Sequence, residues 1–365
     1  MRLLLFLVLS IQTFACQVPV FRYALERWQS DQFRLQLITQ GAPPADLEKN
    51  LLDLQTELTS PSSSLNLTLE VLDLNKLKPN QQLAVVGLEK IQSYPTFLLH
   101  PPESWNNPSP FVFPGDQSTL QSILDSPLRH RIKNNLLQGE SIVWVLIEGS
   151  DQAANEAIHQ LLQQSLKRAQ EEIELPDGVI QADQIGKVGD DVDLENVLRS
   201  SVPLKISFKI ERLKQNDPAE QALLKILTAN RPIPPGEPLV VPIFGRGRTP
   251  APLPGSRITS ERILDACKYL CGACSCQVKS GNPGYDLLIK ANWQEKLQSG
   301  LVVIEKELPS VLPSLNDQSQ ETQSSPLHDT GNIGSSNKFL IALAILAILA
   351  LGIGSFVLLK RSAKN

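Results

Sequence analysis

The sequence has few of the residue patterns that build common catalytic and metal sites. Its four histidines lie far apart, and none has a metal-ligating partner at helical spacing. It shows no Ser-His-Asp set, no glycine-rich phosphate loop and no recognisable pair of catalytic carboxylates. The net charge is −4, and basic residues form no block outside the last few positions, so we expect no nucleic-acid binding. These absences favour a protein without enzymatic activity.

Cysteine is also scarce, and it is unevenly distributed. One of the five cysteines is Cys16, and the others form a cluster of Cys267, Cys271, Cys274 and Cys276. The cluster lacks the long gap between two cysteine pairs that a zinc ribbon requires. Outside the cytoplasm, an even number of cysteines indicates disulfides or buried structural thiols first. A soft ion such as Cu(I) or Zn(II), or a redox role, remains an alternative, and we otherwise expect no cofactor.

The cluster divides into two pairs by its position on a predicted helix. The helix runs from Thr259 to Leu270, with Cys267 and Cys271 on its apolar side near its C-terminal end. Burial and the helix dipole both disfavour a thiolate there, so this pair is predicted to be structural. Cys274 and Cys276 follow the helix, and they are the reactive pair if either pair is reactive.

The longest apolar run lies near the end of the chain and predicts a membrane anchor. Residues 339–359 carry no charge, which is the length and composition of a transmembrane helix. Lys360, Arg361 and Lys364 follow immediately, and positive residues stay on the cytoplasmic side. We therefore expect a single-pass protein of the cell membrane with an extracytoplasmic N-terminal part and a cytoplasmic C-terminus. A protein partner at the membrane is also expected.

The first residues of the chain agree with export. Residues 1–16 carry Arg2, a short apolar run and the small-residue pattern Thr13-Phe14-Ala15, which together predict a signal peptide. Cys16 directly follows that pattern, which makes it a candidate for lipidation. Thr13 stands where a lipid-attachment signal prefers leucine, so cleavage without lipidation is the other interpretation.

Between the two ends, hydrophobic periodicity predicts two α/β domains in tandem. Each half shows the order strand, helix, edge strand, helix, proline, strand, strand, helix. The second half includes an apolar central strand over 143–147 and an alternating edge strand over 204–210, and the first half includes a helix over 118–137. The predicted organisation is a signal peptide (1–16), domain 1 (17–140), domain 2 with the cysteine cluster (141–305), a flexible polar stalk (306–338), a transmembrane helix (339–359) and a cytoplasmic tail (360–365).

This order of elements resembles that of thioredoxin-like domains. Tyr94-Pro95-Thr96-Phe97-Leu98-Leu99 resembles the strand of thioredoxins that begins with a cis proline, and Pro238-Leu239-Val240-Val241 resembles its counterpart in the second half. The resemblance implies a cis bond at Pro95 and a second candidate at Pro238. It also places the usual Cys-x-x-Cys pair near 41–45 and 149–153, where this sequence has no cysteine. An oxidoreductase role at the usual site is therefore not expected.

Two further segments resemble an uncharacterised family of exported, membrane-anchored bacterial proteins. They are VPVFRYALERW at 18–28 and CSCQVKSGNPGYDLL at 274–288, and this resemblance implies no activity. Arg246 and Arg248 lie in a glycine-containing turn that is a weak phosphate-binding signal, and a solvated turn is the preferred interpretation. The sequence therefore predicts an extracytoplasmic binding or scaffold protein. The alternative is thiol-disulfide or soft-metal handling by the cysteine cluster.

Overall fold

Two four-stranded mixed sheets form the framework of the chain in the computed structural model. The structure describes residues 17–298, except 61, 106–108, 182–183, 185–192 and 229–235. The strands are β1 (Phe33–Thr39), β2 (Leu67–Asp73), β3 (Thr96–His100), β4 (Phe111–Pro114), β5 (Ile142–Glu148), β6 (Phe208–Lys214), β7 (Leu239–Ile243), β8 (Arg248–Thr249), β9 (Leu253–Pro254) and β10 (Tyr285–Asp286). An α/β fold is thus confirmed.

The two sheets have the same internal arrangement. Sheet 1 has the order β2-β1-β3-β4, and sheet 2 has the order β6-β5-β7-β9. In each sheet the first two strands in sequence pair in parallel, and the remaining pairs are antiparallel. β8 and β10 pair with each other in a separate two-stranded sheet.

Helices cover these sheets. They are α1 (Val20–Glu26), α2 (Ala45–Thr59), α3 (Pro79–Leu83), α4 (Gln117–Leu124), α5 (Pro127–Leu137), α6 (Gln152–Glu172), α7 (Gln221–Thr228), α8 (Ser260–Cys271), α9 (Cys276–Gly281) and α10 (Trp293–Gln298). Asp151 accepts hydrogen bonds from the backbone of the first turn of α6, and Thr259 does the same for α8. These caps fix where the two longest helices of the second half begin.

The main hydrophobic core contains side chains from both sheets. Leu35 and Leu37 of β1 belong to the same buried cluster as Val143 and Val145 of β5, together with the apolar sides of α2, α4, α5 and α7. The opposite face of sheet 2, which includes Trp144, is covered by α1, α6 and α8. The described residues all belong to one compact unit.

Sheet 1 is covered much less on its other face, which we call the outer face. Its buried apolar cluster consists of Ile38, Leu74 and Leu98, with partly buried side chains from the segment that contains α3. Toward the start of β1 the same face carries polar residues, including Gln36 and His100. The outer face is thus apolar at one end and polar at the other.

Two elements differ from the sequence prediction. The helix expected over 118–137 is divided into α4 and α5, because the Ser126 side chain accepts from the backbone of Arg129 and Pro127 starts a new helix. The edge strand expected over 204–210 begins only at Phe208, which is opposite Ile142, the first residue of β5. The residues before Phe208 have no parallel partner on β5, so their alternation does not produce a strand.

The predicted signal peptide, stalk, transmembrane helix and tail lie outside the described residues. In the part of the chain that the structure describes, every helix is too short or too polar to cross a membrane.

Candidate functional site

The four clustered cysteines lie on α8, in the connection that follows it, and at the start of α9. Cys267, Cys271 and Cys274 have 0% of their surface exposed, whereas Cys276 is exposed. All four are free thiols. The structure therefore separates one accessible thiol from three that solvent does not reach.

The packing of α8 explains the burial of Cys267 and Cys271. The apolar side of α8 faces sheet 2, and the two cysteines share a buried cluster with Ile263, Leu270 and Trp144. Burial raises the pKa of the Cys267 thiol strongly, and the neighbouring Cys271 raises it further. Burial also raises the pKa of Cys271 to about 12, although a hydrogen bond with Ser141 opposes the shift. Both groups are therefore protonated and poorly nucleophilic at neutral pH.

Cys274 differs from the sequence prediction, which grouped it with Cys276 as the pair that is reactive if either pair is. The N-terminal segment lies antiparallel to the connection after α8, with a bridge between Pro19 and Ala273. The Cys274 N–H donates to the carbonyl oxygen of Val18 at 2.9 Å. This pairing covers Cys274, which is why only Cys276 remains exposed.

The metal alternative gains no support from these positions. Among the residues that the structure describes, no group of three or more His, Cys, Asp or Glu side chains could hold a metal ion. Cys16, the lipidation candidate, lies outside the described residues.

The two diagnostic prolines differ from each other. The Tyr94–Pro95 peptide bond is cis, as predicted, and it is the one cis bond found in the described part of the chain. The second candidate, Pro238, is therefore not cis. The carbonyl oxygen of Pro95 accepts from the N–H of Gly115 at 2.9 Å, and a Cβ at position 115 would collide with Pro95. Glycine is thus required where the two segments meet.

The two arginines of the glycine-containing turn do not form a phosphate site, and the preferred interpretation of a solvated turn is also wrong. Arg248 is 2% exposed and donates to Asp286 Oδ2 at 2.6 Å. Arg246 donates to the carbonyl oxygen of Leu25 at 2.8 Å, at the C-terminal end of α1. Both guanidinium groups thus hold neighbouring segments in place.

The described part of the chain also contains a large open groove, which we call the interhelix groove. It lies between α4, α5 and α7 and has a volume of about 1060 Å³. Its lining includes Phe113, Gln121, Asp125, His130, Pro218 and Lys225. A cleft of this size is at the upper end of the range that ligand sites occupy.

Lys225 is the most distinctive group in the interhelix groove. Its Nζ lies 4.3 Å from the centre of the Phe113 ring and donates to the carbonyl oxygen of Val112 at 2.9 Å. Partial burial lowers the pKa of this amine. Within the described residues no carboxylate lies within ion-pair distance of Lys225, so its charge is not neutralised by a side chain.

The opposite wall of the groove presents a second basic group that is already paired. His130 Nε2 lies 2.7 Å from Asp125 Oδ2, and Lys133 Nζ lies 3.3 Å from His130 Nδ1. Sequence reasoning did not find the groove, because Lys225 lies more than 90 residues after His130 and looks like an ordinary helical lysine. Locally, the sequence marks only the starts of α4 and α5, through the cap residues that precede them.

A comparison with models of known protein families finds no match to this chain, and a comparison with curated proteins finds none either. The interpretation of the site therefore rests on its own geometry.

Proposed function

We propose that this chain is an extracytoplasmic binding protein, anchored in the membrane by residues 339–359 and built from two thioredoxin-like domains without a redox pair. The strand order that both sheets share, with one parallel pair followed by antiparallel pairs, supports the thioredoxin-like assignment. Residues 41–45 lead into the start of α2 and residues 149–153 into the start of α6, and neither segment carries a thiol. The positive residues after 359 support a cytoplasmic C-terminus.

The surface that binds the partner is the interhelix groove, and the observation that carries this proposal is the unneutralised Lys225. An ammonium group held over an aromatic ring in a partly desolvated site attracts a carboxylate more strongly than a fully solvated lysine does. The groove is large and open to solvent, and much of its lining is serine, threonine, glutamine and proline. Its occupant is therefore an extended segment of a protein partner that places an acidic side chain on Lys225.

A second candidate function is thiol handling by Cys276, which is favoured by the exposure of that one thiol at the start of α9. Thiol–disulfide exchange within one protein requires a second accessible sulfur to resolve the mixed disulfide. Cys267, Cys271 and Cys274 are too deeply buried to supply it. The groove is therefore the better supported site.

Site-specific photo-crosslinking in the full-length, membrane-anchored protein tests the proposal. A photoreactive residue replaces Gln121, which is exposed in the groove, or Leu52, which is 64% exposed on α2. We expect a discrete crosslinked product from position 121 and none from position 52. Lys225→Glu should lower the yield by about tenfold or more, because it reverses the charge that the partner contacts.

The matched control is Lys49→Glu, which makes the same change of charge at an exposed position of α2. It should leave the yield from position 121 unchanged. Equal yields from Lys225→Glu and Lys49→Glu would show that the groove is not the binding surface.

A further inference from the structure

The polar end of the outer face of sheet 1 contains a second site, separate from the interhelix groove. Strand register places Arg34 of β1 directly opposite Thr68 of β2 on one side and His100 of β3 on the other. Residues that are opposite one another in neighbouring strands project from the same face. Thr68, Arg34 and His100 therefore form one continuous polar row across three strands.

This polar row borders a cavity of about 560 Å³, which lies within the size range of small-molecule sites. The other wall is formed by the segment that follows β3, including Pro102, Glu103 and Ser104. The apolar cluster that contains Leu98 fills only the opposite end of this face. The polar row is consequently left open to a ligand.

A chain of hydrogen bonds determines which ring nitrogen of His100 carries the proton. Gln36 Nε2 donates to Glu70 Oε2 at 2.7 Å, and Gln36 Oε1 lies 2.6 Å from His100 Nε2. A carboxylate only accepts, so the Gln36 amide nitrogen faces Glu70 and its oxygen accepts from His100 Nε2–H. In a neutral imidazole the other nitrogen, Nδ1, then carries a lone pair.

Two observations make that lone pair available. Burial, and to a smaller extent the charge of Arg34, lower the pKa of His100 to about 4, so the ring is neutral at physiological pH. Within the described residues nothing donates a hydrogen bond to Nδ1, and His100, although only 6% exposed, lines the cavity. His100 therefore presents a fixed acceptor at the cavity.

The cavity also carries one available charge of each sign. Arg34 and Glu103 are both exposed, and neither side chain forms an ion pair or hydrogen bond with any other described residue. The other carboxylate of the lining, Asp31, is already engaged by the Ser104 hydroxyl at 2.7 Å and lies 3.7 Å from Arg248. A cation, an anion and a neutral acceptor thus surround one small volume.

We infer that this cavity binds a small zwitterion, a free α-amino acid. Its carboxylate binds the Arg34 guanidinium, and its ammonium group donates to Glu103 and to Nδ1 of His100. Arginine suits this role because its guanidinium pairs with a carboxylate through two parallel hydrogen bonds. The neutral ring suits the ammonium group, which an imidazolium would repel.

Isothermal titration calorimetry of the full-length protein in detergent, with the common L-α-amino acids as individual probes, tests this inference. We expect at least one of them to bind at a single site. Arg34→Gln and Glu103→Gln should each weaken that binding by about tenfold or more, since each removes a charge-assisted contact. The N-acetylated and the carboxamide derivatives of the same amino acid should bind at least about tenfold more weakly, because each lacks one of the two charges.

Two control variants separate this site from general charge effects and from the groove. Lys49→Gln removes one positive charge elsewhere, and Lys225→Glu alters the interhelix groove, and both should bind the amino acid as the unmodified protein does. The inference is overturned if no amino acid binds, if Arg34→Gln binds normally, or if the N-acetylated derivative binds as well as the parent. Thermal unfolding of Arg34→Gln checks that this exposed substitution leaves the fold intact.

Discussion

Native-state alkylation of the four clustered cysteines should label Cys276 and spare the other three. Cys276 is exposed, whereas Cys267, Cys271 and Cys274 have no exposed surface. Labelling of the buried thiols requires α8 and the segment paired with it to open. Once the helix opens, the raised pKa of Cys271 no longer applies, so the free energy of opening sets the delay.

The free energy of opening determines how much more slowly a buried thiol is labelled than an exposed one. A domain typically unfolds at a cost of about 5–15 kcal/mol, and the lower limit corresponds to labelling that is about 5000-fold slower than for an exposed thiol. In the closed state, a pKa of about 12 at Cys271 lowers the thiolate fraction by about a thousandfold relative to an ordinary cysteine. Neither route allows rapid labelling of a buried thiol.

The assay treats the folded protein with iodoacetamide at pH 8, quenches at increasing times, and quantifies each cysteine by peptide mass spectrometry. A parallel sample in denaturant gives the intrinsic rates. We expect Cys276 to react at nearly its denatured rate and the other three to lag by about a thousandfold or more. Labelling of Cys267 or Cys274 within tenfold of the rate for Cys276 would refute the assignment of these thiols to the core.

Three further outcomes are expected. Arg129→Met should lower the free energy of unfolding by about 3 kcal/mol in urea titrations. The reason is that the fully buried guanidinium donates to the carbonyl oxygens of Ser122 and Ile123 at 2.8 and 2.6 Å. An equal loss of stability from Arg131→Met, at a half-exposed position, would contradict this. His100→Gln should remove part of the pH dependence of the free energy of unfolding. Burial holds the His100 pKa at about 4 in the folded protein, compared with about 6.5 in the unfolded chain. The stabilisation from His100 is therefore fully present above pH 6.5 and falls by about 3 kcal/mol as the pH drops to 4. Identical pH profiles of unfolding for the two proteins would contradict this assignment. A reporter fused after position 365 should be active only in the cytoplasm, and activity outside would reverse the proposed topology.

The strands that the sequence predicts best are those whose patterns depend on burial alone. The apolar run over 143–147 lies within β5, which is buried along its whole length. β6 was displaced in the prediction, because its start depends on where β5 begins and not on its own alternation. The division between α4 and α5 was predictable in principle from Ser126-Pro127, a cap followed by a proline at the first helical position.

The candidate sites were harder to predict, because they join residues from distant parts of the chain. The apolar periodicity of α8 correctly predicts the burial of Cys267 and Cys271. It does not predict that of Cys274, which depends on a backbone pairing with Val18. The interhelix groove requires Lys225 to lie over Phe113, and a contact across more than 100 residues leaves no trace in local periodicity. The burial of Cys274 and the formation of the groove thus depend on packing between distant segments, which local sequence patterns do not predict.

One crosslinking measurement compares the interhelix groove directly with the Cys276 thiol. The photoreactive residue at position 121 is placed in the full-length protein, in the Lys225→Glu variant and in the Cys276→Ser variant. We expect the yield of the crosslinked partner to be unchanged in Cys276→Ser and to fall by about tenfold or more in Lys225→Glu. Loss of the product in Cys276→Ser, with normal yield in Lys225→Glu, would contradict partner binding by the groove and would assign the function to the thiol.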